Sequence, residues 1–144
     1  MNKEIRIGKR IISETSPAFI VAELSANHNQ DFHRAVEILH AAAEAGADAI
    51  KLQTYTADSM TIDSKEDCFM NKGGLWDGIS EYDLYKKAYT PWEWQPLLME
   101  EAQKLGIECF SSPFDFTSVD FLEDLDVPAY KIASYEINDI PLIR

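Results

Sequence analysis

Lys51 and Gln53 lie two residues apart in the run Ala49-Ile50-Lys51-Leu52-Gln53-Thr54-Tyr55. In an extended chain they share one face and leave Ile50 and Leu52 on the other. A lysine inside such a run is costly to bury without an anionic partner, so the pattern asks for a phosphate or carboxylate ligand, or for a structural ion pair. Glu23, at the end of Phe19-Ile20-Val21-Ala22-Glu23, can supply that pair, or it can manage a proton beside a reacting carbonyl. Lys131 repeats the lysine argument in Tyr130-Lys131-Ile132-Ala133-Ser134-Tyr135-Glu136. There Ser134 and Glu136 are out of phase with Lys131, so either the strand ends near Ala133 or one set alone faces the site. Ser111 and Ser112, just before Pro113, offer hydroxyl donors for an anion or merely form a turn. His28, in Asn27-His28-Asn29-Gln30, reads as a hydrogen-bonding loop residue before it reads as a metal ligand. No cluster of His, Asp and Glu with metal spacing accompanies it, so no metal ligand is assigned within these residues.

Four apolar runs that end at these residues predict strands over Phe19–Leu24, Ala49–Tyr55, Glu108–Phe114 and Ala129–Glu136. Between them lie amphipathic helices. The first is capped by Asp31, carries Phe32, Ala35, Val36, Leu39, Ala42 and Ala43 at helical spacing and stops at Gly46. The second is expected to open with a capping box at Thr90-Pro91-Trp92-Glu93, bury Leu97, Leu98, Ala102 and Leu105, and end at Gly106. A third, Thr117 to Leu125, is stopped by Pro128, and a small hairpin is expected near Ile5 to Ser13. Thr56 to Tyr89, roughly 34 residues, is far longer than the usual 2 to 6 for a strand-to-helix loop, which marks it as a lid or binding loop. Lys72-Gly73-Gly74-Leu75-Trp76-Asp77-Gly78 within it pairs flexible backbone with a tryptophan able to stack on a sugar, and Tyr82 to Ala88 is expected to be helical.

Strand and helix in alternation imply a parallel sheet with right-handed crossovers, either an open doubly wound sheet or a (β/α)8 barrel. Neither nucleotide-binding glycine fingerprint follows a strand, which weakens the first. Barrel enzymes keep their chemistry at the C-terminal ends of several strands, and Glu23, Lys51, Gln53, Ser111, Ser112, Lys131, Ser134 and Glu136 all fall at or near such ends. A barrel of this kind takes about 250 residues, so residues 1–144 read as an α/β domain forming the N-terminal half of a (β/α)8 TIM barrel. Such a half has open sheet edges, and a non-catalytic half-barrel that assembles with another chain is the competing reading.

Composition bounds the partners. The chain is 46% hydrophobic and 26% charged, an ordinary globular balance. With 25 acidic against 13 basic residues it repels nucleic acid and anionic membranes. An anionic small substrate therefore needs a few lysines focused in one place. Cys68 and Cys109 read as free thiols of a reducing compartment, Met1 to Arg10 has no apolar leader, and no run approaches a membrane span, so a cytoplasmic location is expected.

Phe19–Asn29 (Phe-Ile-Val-Ala-Glu-Leu-Ser-Ala-Asn-His-Asn), Ala45–Thr56, Phe110–Asp115 and Tyr130–Glu136 together resemble the sialic acid synthase family. Glu23–His28, Lys72–Asp77 and Thr90–Trp94 look like its pseudaminic acid synthase branch more than its N-acetylneuraminate branch. The resemblance implies a condensation of phosphoenolpyruvate with a 2,4-diacetamido-2,4,6-trideoxy hexose to give a nonulosonic acid and phosphate. N-acetylneuraminate or legionaminate synthesis is the alternative, and a 3-deoxy-octulosonate phosphate type of condensation is another. By the same resemblance Lys51, Gln53, Ser112, Lys131 and Ser134 hold phosphoenolpyruvate, Gln53 and Glu136 also lie near the sugar, and Glu23 stands at the reacting centre. It further implies Mn²⁺ or Mg²⁺ bound by histidines of the second half of the barrel, and a homodimer whose C-terminal antifreeze-like domain caps the partner's site. Those parts fall outside residues 1–144, so the chain by itself is expected to be inactive.

Overall fold

The computed structural model describes residues 4–144; of the charge-alternating N-terminus, Met1 to Lys3 lie outside the described residues. The expected hairpin is present as β1 (Ile5–Ile7) and β2 (Arg10–Ile12), paired antiparallel with Ile5 opposite Ile12. Its turn requires Gly8, which adopts φ +53° and approaches Glu108 so closely that a Cβ would lie 2.0 Å from the carboxyl carbon. The Lys9 N–H donates to Glu108 Oε1 at 3.0 Å, and Arg10 Nη1 meets Asp48 Oδ1 at 2.7 Å. Asp48 also accepts from the Ile20 N–H at 2.8 Å. Asp48 and Glu108 stand where two strands begin, so the hairpin is tied across the N-terminal end of the sheet.

That sheet contains β3 (Val21–Glu23), β4 (Ala49–Thr54) and β5 (Glu108–Pro113), all parallel in the order β3-β4-β5. Helix α1 (Phe32–Glu44) connects the first two, with Asp31 accepting from the His33 and Arg34 N–H groups and Gly46 at φ +85° just past its end. The β4-to-β5 connection is not a bare loop. It holds α2 (Ala57–Met60), two 3₁₀ turns at Asp67–Phe69 and Gly74–Trp76, α3 (Glu81–Ala88), and then α4 (Gln95–Leu105), which ends on left-handed Gly106. Lys65 fastens its middle by reaching Ser80 and Asp83, and the Tyr82 hydroxyl donates to Asp58 at 2.9 Å. Helix α5 (Phe116–Asp124), capped by Asp115 and Ser118, follows β5.

Leu24, Ile50, Leu52 and Cys109 project from one face of the sheet onto Ala35 and Leu39 of α1 and Leu98 and Ala102 of α4. Each fully buried Leu or Ile contributes about 1.5–3 kcal/mol. With α1 and α4 stacked together on this face, Glu23, Lys51, Gln53, Phe110 and Ser112 are left for the other. A doubly wound sheet has helices on both sides; one covered face and one inward polar face belong to a barrel wall.

Three local expectations fail. Thr90 does not cap α4: its hydroxyl is buried against His28, and the segment opens instead as a 3₁₀ turn, Trp92–Trp94, with no side-chain cap. Leu97 is 51% exposed; Leu98 and Ala102 supply the buried face of α4, and Trp94 of the 3₁₀ turn packs against the same core. The fourth strand shrinks to a single parallel bridge, Tyr130 to Ser111, with Lys131 N–H donating to Ser111 O at 3.1 Å. The extended run has no ladder on its far edge among the described residues, and it turns at Ser134–Tyr135 into a 3₁₀ turn (Glu136–Asn138) and α6 (Ile140–Ile143). Ile132, Ile137, Ile140 and Ile143 are exposed along that edge.

Candidate active site

Parallel register sets the site. Glu23 aligns with Lys51, and Gln53 with Ser112, so the four side chains rise from neighbouring strands on the inward face. Lys51 is 6% exposed, and its Nζ stands 3.5 Å from Glu23 Oε1. This is a loose pair in which a buried ammonium leans on a carboxylate that is itself 59% exposed. Ser112 is buried, and its Oγ has no hydrogen-bond partner. A buried cation and an unbonded hydroxyl on one inward face form an arrangement that an anion completes, because both groups lose water without gaining full partners.

The neighbouring serine has a different task. Ser111 points to the helix side, where its Oγ lies 2.6 Å from Thr54 Oγ1, which in turn donates to Gln95 Oε1 at 2.8 Å. This buried chain ties β4, β5 and α4 together; only Gln95 Nε2 within it lacks a partner.

The bridge at Tyr130 puts Lys131 in register with Ser112, hence on the inward side, where it is exposed. The parity conflict ends in favour of a strand that stops near Ala133: Ser134 lies in the turn and is exposed, and Glu136 opens the 3₁₀ turn, half-buried, with Oε2 buried and unpartnered. Among the described residues no hydrogen bond or ion pair joins Lys131, Ser134 or Glu136 to Glu23, Lys51 or Gln53. The site is thus a cluster of four with three more on the adjoining segment.

His28 belongs to the scaffold. It is fully buried, its Nδ1 accepts from the Gln30 N–H at 3.1 Å, and its ring meets Trp94 edge-on at 5.5 Å. Nε2 therefore carries the proton and donates to Thr90 Oγ1 at 3.2 Å. Burial lowers its pKa below 6.5, as suits a neutral ring. This contact, with Gln30 Nε2 donating to Lys87 O at 3.0 Å, pins the end of the long connection to the turn after β3.

An aromatic wall at the mouth was not singled out from the residue pattern. Tyr55, directly after β4, is 3% exposed and makes edge-on contacts with Phe114 (5.5 Å) and with Tyr85 of α3 (5.7 Å). Burial, and then Tyr85, push its phenol up to about 12. Tyr55 was findable, since it lies two residues beyond Gln53 in the same alternation; nothing local to α3 signals that Tyr85 reaches this wall. The Trp76 loop is exposed, with no hydrogen bond from its indole among the described residues.

No three His, Cys, Asp or Glu side chains among the described residues stand together as a metal site. Residues 4–144 by themselves therefore offer no ligand set for Mn²⁺ or Mg²⁺. Both cysteines are free; Cys109 is buried, with its thiol pushed up to about 12 by that burial, which makes it unreactive. No described helix is long and apolar enough to cross a membrane.

The NeuB family model matches residues 38–144. The chain is 57% identical over 128 residues to the pseudaminic acid synthase of Helicobacter pylori, covering 89% of this chain and 38% of that protein. It superposes on the crystal structure of N-acetylneuraminic acid (sialic acid) synthetase from Leptospira borgpetersenii with a TM-score of 0.83 at 33% identity, covering 99% of this chain and 45% of that one. Phospho-2-dehydro-3-deoxyheptonate aldolase from Thermotoga maritima, at 14% identity and a TM-score of 0.58, shares the fold alone. The chain spans a little over a third of the length of the curated relative it matches, at 38%. Its sheet is a partial (β/α)8 barrel, and the chain belongs to the NeuB family.

Proposed function

We propose that this chain is the phosphoenolpyruvate-binding part of a pseudaminic acid synthase-like enzyme, a transferase that forms a C–C bond. The observation that carries the reading is the buried Lys51 on the same inward face as the unbonded Ser112 hydroxyl, in a chain 57% identical to a pseudaminic acid synthase. In this reading Lys51 and Lys131 hold the phosphate and carboxylate of phosphoenolpyruvate, with Ser112 and Ser134 donating hydrogen bonds. Gln53 and Glu136 meet the amino sugar. The phosphoenolpyruvate methylene attacks the open-chain aldehyde carbon; the new C–C bond forms as the aldehyde C=O π bond opens onto its oxygen, which takes up a proton, and positive charge is left at C2. The Glu23 carboxylate, at the strand end and loosely paired with Lys51, stabilises that charge. Water adds at C2, the C–O bond to phosphorus-bearing oxygen breaks, and phosphate leaves with the nonulosonic acid as the other product.

The rest of the barrel, a metal site for Mn²⁺ or Mg²⁺, and a C-terminal antifreeze-like domain supplied across a homodimer complete the proposed enzyme, which would work in the cytoplasm, where phosphoenolpyruvate is made. The test is phosphate release from phosphoenolpyruvate, Mn²⁺ and 6-deoxy-2,4-diacetamido-altrose, comparing this chain with one extended to the length of its curated relatives. Release that requires the sugar and the extended chain is expected. A folded extended chain that releases none overturns the reaction.

A further inference from the structure

Among the described residues four that are not glycine adopt positive φ: Ser25 (+49°), Asn29 (+50°), Gln30 (+58°) and Asp126 (+52°). Asn and Asp enter this region readily, whereas serine and glutamine do so with strain. Gln30 offsets the strain through its side chain, whose Nε2 donates to the carbonyls of Lys87 and Tyr89. Ser25 has no such compensation.

The turn that contains Ser25 closes directly on the end of β3. The Leu24 N–H still donates to Lys51 O at 3.1 Å, and Leu24 O accepts twice from Asn27, from its backbone N–H at 3.3 Å and from Nδ2 at 3.0 Å. Ser25 and Ala26 are thus the central pair of a β-turn with positive φ at the first position alone, an arrangement that glycine ordinarily fills. A serine in a turn is usually explained by a bond from its hydroxyl to nearby backbone. Here Asn27 makes that bond, and the Ser25 hydroxyl makes none among the described residues. The residue is half-buried, and its oxygen is not sealed from solvent as Ser112 Oγ is. Strain that secures no contact within the chain is characteristic of a functional position.

The placement of Ser25 agrees. Glu23 is in register with Lys51, so two residues further along each strand Ser25 stands level with Gln53, at the C-terminal end of the sheet. At positive φ the Cβ of an L-residue lies near the path an extended chain would have followed, so this side chain continues toward the mouth while the backbone turns away. Below it the well-exposed Glu23 carboxylate repels anions. Phosphoenolpyruvate is drawn instead to Lys51 and Ser112, and a neutral, oxygen-bearing molecule suits Ser25. We infer that Ser25 is a sugar-contacting residue, its hydroxyl hydrogen-bonding an oxygen of the open-chain amino sugar. This inference rests on the condensation reading above and adds a residue to it.

The experiment compares Ser25→Gly and Ser25→Ala with the parent in the extended chain, measuring kcat, KM for phosphoenolpyruvate and for the 2,4-diacetamido sugar, and the thermal midpoint. Glycine relieves the strain and alanine keeps it, while both remove the hydroxyl. The midpoint is expected to be unchanged or higher for Ser25→Gly and unchanged for Ser25→Ala. In both variants the sugar KM should rise roughly 3- to 10-fold, the value of one net hydrogen bond, with KM for phosphoenolpyruvate unchanged. A sugar KM that moves in neither variant, that moves in Ser25→Gly alone, or that rises equally with the other KM overturns the role of the hydroxyl and leaves the reaction standing. A lowered midpoint for Ser25→Gly makes the serine a turn-forming residue and overturns it too. Absence of turnover in the folded parent overturns the reaction and this inference with it, so the parent alone tells the two failures apart.

Discussion

Ser111 and Ser112 are adjacent in β5 and both buried, yet they live in different chemistries. On the helix-facing side Ser111 closes a hydrogen-bonded chain with Thr54 and Gln95. On the inward side the Ser112 hydroxyl has no partner, and Lys51 on the same face has only a 3.5 Å contact with a well-exposed carboxylate. One face spends its polar groups on joining elements; the other leaves them for something outside the chain. A protein stabilised only for folding would gain by pairing or removing the second set, since each unpaired buried group costs about 1–3 kcal/mol.

The sharpest way to break this contrast is Lys51→Met in the extended chain. Replacing a buried, loosely paired charge by an apolar side chain of similar length should leave the thermal midpoint unchanged or higher. Activity should fall on the order of 10²- to 10³-fold, in line with about 2–5 kcal/mol for a charge that binds an anion. Steady-state kinetics with a melting curve reads both; a large drop in midpoint with little loss of activity would make Lys51 structural.

A matched pair of substitutions sharpens the contrast further. Thr54→Val removes the hydroxyl that links Ser111 to Gln95, and should destabilise the fold by about 1–3 kcal/mol in denaturant titrations without altering KM for phosphoenolpyruvate. Ser112→Ala should do the reverse, with stability held and that KM raised several-fold. If the two variants behave alike, the distinction between faces fails.

The smallest effect concerns His28, which couples the turn after β3 to Thr90. Its pKa is lowered in the fold, so the unfolded chain takes up its proton first as pH falls below 6.5. Its stabilisation is thus complete above that value and declines below it, towards the folded pKa. The thermal midpoint of the parent should therefore drop between pH 7.5 and pH 5.5 more steeply than that of His28→Asn. Parallel slopes would mean that the histidine is not the titrating group.

Much of the architecture was legible because it depends on local rules. Strand alternation put Lys51 and Gln53 on one face, Asp31 has the side chain an N-cap needs, and Gly46 and Gly106 stop helices by accepting positive φ. The end of the fourth strand was only half-legible: the parity of Lys131 against Ser134 and Glu136 marked a break, and the structure puts it at the Ser134–Tyr135 turn. Thr90 was misread for the same reason that it looked convincing. A threonine before a proline has the local chemistry of a cap, but a buried histidine 62 residues away takes its hydroxyl.

By itself, then, the amino-acid order determined the alternation of strands and helices, the residues that share a face, and the kind of ligand two lysines would want. Only the tertiary structure decided which serine faces inward, whose hydroxyl remains free, and that Tyr85 of the long connection packs against Tyr55. Periodicity relates a residue to its own neighbours along one element. The partner of a buried polar group is chosen by register between strands and by the packing of distant segments, which no repeat within either segment encodes.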